Sequence, residues 1–160
     1  MNIENITVFT DASFCSQTKC AGGALWARGA EIKFQHAFPV QGALQAHEAE
    51  ILTACNAIQA LLEHPEFNQE LSKGAATRLV VVVDCLAVKD AFEQKQVRMS
   101  SPVAAAIQAV LQIRERLGFW LKVNHVKAHS GTDSPRQWVN HWCDRNAKAQ
   151  MRQMRAATQN

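Results

Sequence analysis

No stretch of this 160-residue chain is apolar for long enough to cross a bilayer; the run Leu79 to Val83 is cut by Asp84 and is far too short. No C-x-x-C pair occurs, and the five cysteines (Cys15, Cys20, Cys55, Cys85, Cys143) are an odd number. A disulfide framework is therefore not expected, and reduced thiols in a cytoplasmic protein are the simplest reading. A zinc site built from Cys15, Cys20 and two of the six histidines matches no common ligand spacing. Internal repeats, linkers and low-complexity tracts are also missing. The polar first residues run directly into a strand, so no secretory leader is expected. One domain over residues 1–160 follows, with the last few residues expected to be disordered.

An apolar fraction of 48% and a charged fraction of 19% belong to a folded globular chain rather than a disordered one. The net charge of +3 conceals an uneven distribution. From Arg114 onward there are nine Lys/Arg against three Asp/Glu, whereas the first 113 residues carry eight against eleven. A basic segment beside a carboxylate-rich remainder suits a polyanion at one place and metal ions at another.

Ile6 to Asp11 is β-branched and aromatic and reads as a strand closed by its aspartate. Gly22 to Arg28 and Glu31 to Val40, joined at Gly29, extend it into an antiparallel meander. A helix follows, with Ile51, Cys55, Ile58 and Leu62 at helical intervals; Pro65 closes that region before a polar loop through Ser72, Lys73 and Gly74. Leu79 to Val83 has the unbroken apolar character of a strand covered on both faces. A short helix over Val88 to Phe92 comes next, then one capped at Ser101-Pro102 that carries Ile107, Val110, Leu111 and Leu117 and stops near Gly118. Phe119 to Val126 alternates as a fifth strand, and the capping box Ser134 to Gln137 opens a last helix of about twenty residues. The order βββαβαβα predicts an α/β domain with a mixed sheet, three antiparallel strands then two parallel ones, and helices on both faces.

Four carboxylates stand out. Asp11 and Asp84 each follow a strand directly, and neighbouring parallel strands would bring both to the sheet edge where α/β proteins place ligand sites. Glu48 and Glu50 are about 200° apart on their helix, so only one can face that edge, and periodicity does not choose between them. Asp144 lies between an apolar stripe and a basic stripe on the last helix, at ion-pairing distance from Lys148. Charges beside a core are costly unless paired, hydrogen-bonded or bound to a cation. Hard divalent cations take oxygen ligands, so the residue types point to metal-dependent phosphoryl transfer.

The strings TVFTDAS (Thr7 to Ser13), AEILTACNAI (Ala49 to Ile58), VVVDC (Val81 to Cys85), VKAHSG (Val126 to Gly131) and CDRNAKA (Cys143 to Ala149) resemble the type 1 ribonuclease H family, in the family's order and over nearly the whole chain. The resemblance implies an endoribonuclease that cleaves the RNA strand of an RNA–DNA hybrid with two Mg²⁺ ions, Mn²⁺ being a substitute, and leaves 5′-phosphate and 3′-hydroxyl ends. By motif, Asp11, Glu50, Asp84 and Asp144 match the metal-binding carboxylates, so the resemblance selects Glu50 over Glu48. His129 in VKAHSG matches the family's loop histidine, associated with proton transfer or product release. Ser13 and the stripe Arg145, Lys148, Arg152 and Arg155 are candidate substrate contacts, because phosphate neutralisation dominates nucleic-acid affinity.

Several usual parts are absent. Gln45-Ala46-His47 stands where many members carry an Asn-rich segment that reads ribose 2′-hydroxyls, and Phe14 to Lys19 replaces a glycine-rich turn. A basic, Trp-rich insertion has little room between Asp84 and Val126, and Pro102 to Ile113 contains no Lys or Arg. Trp26, Trp120, Trp138 and Trp142 are expected in the core. A DNA nuclease or resolvase of related fold, and a non-catalytic nucleic-acid-binding module, are the competing readings.

Overall fold

The computed structural model describes residues 2–127 and 135–159, with nothing stated for the side chains of Pro135 and Arg136. One five-stranded sheet has the order β3-β2-β1-β4-β5, built from β1 (Glu4–Phe14), β2 (Ala21–Arg28), β3 (Lys33–Val40), β4 (Thr77–Val83) and β5 (Trp120–His125). β1 to β3 pair antiparallel, whereas β1–β4 and β4–β5 pair parallel. Parallel neighbours need a crossover. Two helices, α1 (Ala46–Glu63) and α2 (Pro65–Leu71), carry the chain from β3 to β4; two more, α3 (Leu86–Phe92) and α4 (Ser101–Leu117), carry it from β4 to β5. The last helix, α5 (Pro135–Thr158), packs on the first three strands. Among the described residues, no helix is long and apolar enough to cross a membrane.

Strand alternation divides the core into two layers. Ile6, Val8, Leu25 and Val81 turn to one face and meet Ile51, Ala54, Ile58 and Leu61 of α1, with Val103, Ile107 and Val110 of α4 in the same cluster. Ala24 and Phe9 turn to the other face, where Val139, Cys143 and Ala147 of α5 join Trp26 and Trp142. The mixed sheet with helices on both faces is as the sequence predicts.

Local differences have local causes. Pro65 does not close the helical region; it occupies the first turn of α2, where its missing N–H has no helical partner to lose. The cap of α4 is Ser100 rather than Ser101, which places Pro102 within the first turn. Gly118 ends α4 in the left-handed conformation (φ 83°), its N–H donating to the Arg114 carbonyl at 2.8 Å. Trp120 and Trp138 are 57% and 56% exposed, so only Trp26 and Trp142 join the core as expected. The capping box falls partly outside the described residues.

Gly22 sets how closely α5 approaches the sheet. A Cβ there would lie 2.3 Å from the Ala147 carbonyl oxygen and 2.5 Å from the Met151 amide nitrogen, both backbone atoms of α5. Gly22→Ala is expected to destabilise the fold by about 1–3 kcal/mol through overpacking, read as a lower urea midpoint. An unchanged midpoint would mean that α5 is not held at this distance.

Candidate active site

β4 pairs with β1 only as far as Phe9–Val82, whereas β2 continues alongside β1 to Phe14–Ala21. Asp11 is therefore inside β1 rather than at its end, and pairs with Ala24. Asp11 and Asp84 each lie two residues beyond the last parallel pair, which sets them opposite one another. Past that point, among the described residues, no strand pairs with β1 on the β4 side. Through this opening Glu50, in the second turn of α1, reaches the two aspartates.

Ligand oxygens of Asp11, Glu50 and Asp84 all lie within 4.8 Å of one another. Asp84 is exposed, whereas Asp11 and Glu50 are largely covered. The Ala12 N–H donates to Asp11 Oδ1 at 3.0 Å, but the buried Glu50 Oε2 accepts no hydrogen bond. Burial pushes the Asp11 carboxyl up to about 7, helped by the charges of Asp84 and Asp144. Burial likewise drives Glu50 up to about 9, reinforced by Asp11 and Asp84. Carboxylates this close titrate as a coupled set. The cluster is thus repulsive by itself, and a bound cation would offset that charge.

An all-oxygen donor set with one exposed member fits a hard divalent ion that keeps some of its water, as Mg²⁺ does. The orphaned Glu50 oxygen would supply a buried ligand position. Among the described residues this is the group of three ligands that could hold a metal. Cys15 and Cys20 are engaged elsewhere: Cys20 Sγ lies 3.6 Å from the Thr158 hydroxyl and 3.9 Å from the Thr18 carbonyl. Hydrogen bonds from the Thr18 side chain and backbone, with a smaller one from Arg155, lower the half-buried Cys15 thiol to about 7.

Asp144 stands at the margin of this cluster. It is near enough to raise Asp11, yet its own Oδ2 accepts a hydrogen bond from Lys148 Nζ at 3.0 Å, in a half-exposed pair. The structure so brings three of the four expected carboxylates together and flanks them with the fourth. Ser13 lies two residues beyond Asp11 on the same side of β1, paired with Gly22. Arg145, Lys148 and Arg152 are exposed on α5, whereas Arg155 is partly buried beside Cys15. His129 lies outside the described residues.

Glu48 has a separate role that the sequence did not reveal. It is 3% exposed. Its Oε1 accepts from the Leu44 N–H at 2.9 Å, and its Oε2 from the Ser100 N–H at 2.8 Å. Burial by itself would push its carboxyl up, but the hydrogen bonds from Ser100 and Leu44 bring it below the usual carboxylate range. The 200° separation of Glu48 and Glu50 predicted different surroundings without naming them.

Fold and site define an α/β protein with a cluster of three carboxylates, of a kind that could hold a cation, at the point where β1 and β4 part. Residues 3–152 match the RNase H family, and the chain belongs to that family. No curated protein matches it by sequence. Among solved structures, an RNase H1 isolated from compost by a metagenomic approach is 14% identical with a TM-score of 0.65, over 93% of this chain and 98% of that one. RNase H1 from the halophilic archaeon Halobacterium salinarum is 13% identical with a TM-score of 0.62, over 93% and 98%. The compost enzyme in complex with an RNA/DNA hybrid is 14% identical with a TM-score of 0.60, over 88% and 97%. At these identities the likeness is one of fold, and the fold is RNase H-like.

Proposed function

We propose that this protein is a Mg²⁺-dependent endoribonuclease that hydrolyses the RNA strand of RNA–DNA hybrids, leaving 5′-phosphate and 3′-hydroxyl ends. The observation that carries the reading is the cluster Asp11, Glu50 and Asp84, with its oxygens within 4.8 Å of one another. Family membership supports the reaction class, and a structural neighbour in complex with an RNA/DNA hybrid supports the substrate.

Asp11, Glu50, Asp84 and Asp144 would hold two cations. When bound, such ions supply an activated water and stabilise the leaving 3′-oxygen of an in-line displacement. Asp11 and Glu50 provide the buried, fixed part of the site, and Asp84 its solvent-facing side. Asp144 becomes available by giving up Lys148, an exposed i,i+4 pair worth only about 0.3–0.5 kcal/mol. That exchange also frees the Lys148 ammonium for a phosphate. Arg145 and Arg152 extend the same positive face along α5. His129, following its motif, is assigned proton transfer or product release. Five free thiols suit a reducing cytoplasm, and one domain suffices for the whole activity.

Four substrates decide the matter: hybrid, duplex RNA, duplex DNA and a four-way junction, each with Mg²⁺ and with EDTA. Cleavage of the hybrid's RNA strand alone, abolished by EDTA, is the expected outcome. Junction cleavage without action on hybrid would establish a resolvase instead. Binding to nucleic acid with neither cleavage nor Mg²⁺ or Mn²⁺ binding would establish a non-catalytic module.

A further inference from the structure

The segment between α3 and α4 is short here, and the molecule ties it down in an unusual way. Glu48 Oε2 accepts from the Ser100 N–H across 52 positions of sequence, while Oε1 of the same carboxylate holds the Leu44 N–H. His47 Nε2 lies 2.6 Å from the Arg98 carbonyl oxygen. Val97 and Met99 add partly buried contacts with the core. Two backbone segments, residues 44–47 and 98–100, are thus clamped to each other at the start of α1. Hydrogen bonds to an ionised carboxylate are among the stronger ones available. Glu50 stands two residues further along α1, on the opposite side of the helix, so the clamp fixes the first turn of the helix that carries Glu50.

The clamp presents one particular charge. Lys89 pairs with Glu93, and Lys95 pairs with Glu93 and Asp90. Arg98 is exposed and has no carboxylate partner among the described residues. Its backbone is fixed by His47 on its own carbonyl and by Glu48 two residues on, while its guanidinium is free. A fork of N–H donors on a fixed backbone is suited to a phosphate oxygen pair, and fixing it beforehand lowers the ordering cost of binding.

We propose that Glu48 is a positioning residue that clamps residues 98–100 against the start of α1 and thereby holds Arg98 as a phosphate anchor for the nucleic-acid substrate. This rests on the hybrid-nuclease reading above. It assigns part of the grip to the side of the molecule where the usual basic insertion has no room. The basic face of α5 then serves a different stretch of the substrate.

A double-mutant cycle on the full-length protein tests the coupling. Arg98→Ala is expected to raise KM for hybrid several-fold, to leave kcat at saturation unchanged, and to reduce the slope of log KM against log salt by about one. Glu48→Gln, which leaves one acceptor oxygen for the two amides of Ser100 and Leu44 and so opens the clamp, should reproduce that signature. Adding Arg98→Ala to Glu48→Gln should then cost nothing further. Ser100→Pro offers an independent route: Ser100 has φ −70°, which proline adopts, so the substitution removes the N–H at a compatible φ. It should behave as Glu48→Gln does. Mg²⁺ titration by calorimetry should give wild-type affinity in each variant. Additive losses, or a fall in kcat and Mg²⁺ affinity at unchanged KM, would overturn the proposal. A wild type that neither binds nor cleaves hybrid would instead remove the functional reading, and this inference with it.

Discussion

Asp11→Asn is expected to reduce hybrid cleavage by roughly a thousandfold or more, the equivalent of several kcal/mol of lost transition-state stabilisation. The size follows from the position of Asp11 at the centre of the cluster. It is opposite Asp84 across the sheet edge, its oxygens lie within 4.8 Å of those of Glu50 and Asp84, and it feels the charge of Asp144. Asparagine keeps the shape and the option of accepting from Ala12 N–H, so the fold should survive. What it removes is the negative charge around which the other three carboxylates are arranged. Mg²⁺ calorimetry and cleavage at saturating Mg²⁺ separate weakened metal binding from lost chemistry. A variant within tenfold of wild type would remove Asp11 from the site.

Glu50→Gln should do two opposite things: abolish cleavage and raise the melting temperature of the metal-free protein. Burial and two neighbouring carboxylates place the Glu50 carboxyl at about 9 in the folded chain, above its ordinary value of 4.5. A group whose folded value is raised contributes stability below its unfolded value and loses it as pH climbs through the folded value. The metal-free protein should accordingly lose stability between about pH 4.5 and 9, with Asp11, at about 7, adding to the fall. Glutamine cannot ionise, so the variant should show a flatter profile and a Tm several degrees higher at pH 8, since each kcal/mol moves a domain of this size by roughly 2–4 °C. Added Mg²⁺ should raise the wild-type Tm and leave the variant's unchanged, because only a site that binds in the folded state stabilises it. Melting curves at pH 5 to 9, in EDTA and in Mg²⁺, supply the test. A variant less stable than wild type at pH 8 would show that Glu50 is already neutralised within the protein.

These two residues were legible to different degrees. Asp11 and Asp84 could be placed from their strands alone, because Ile6 to Thr10 and Leu79 to Val83 have the composition of central strands and each leads into an aspartate. Glu50 could not, since the helical period leaves Glu48 and Glu50 on opposite margins of one apolar stripe and only the family motif separated them. In the fold they diverge completely: Glu50 keeps a buried oxygen without a partner, whereas both oxygens of Glu48 are occupied by backbone amides. Pro65 and the cap at Ser101 differ from the structure for a smaller reason. Proline suits a helix's first turn as well as a break after its last, and either of two adjacent serines satisfies a cap pattern.

By itself, the sequence determined the order of the strands and of every helix but α2, the two-faced core and the four acidic positions. Those follow from short-range regularities: side-chain alternation along strands, helical spacing, and motifs a few residues long. Tertiary structure decided how the carboxylates relate. It drew Asp11, Glu50 and Asp84 into one cluster, left Asp144 beside them with Lys148 for a partner, and gave Glu48 to the backbone of a distant segment. The physical reason is that each of these outcomes depends on which groups desolvate and charge one another, and those partners are tens of residues away along the chain. Periodicity can say which way a side chain leaves its own helix or strand; only packing says what it meets.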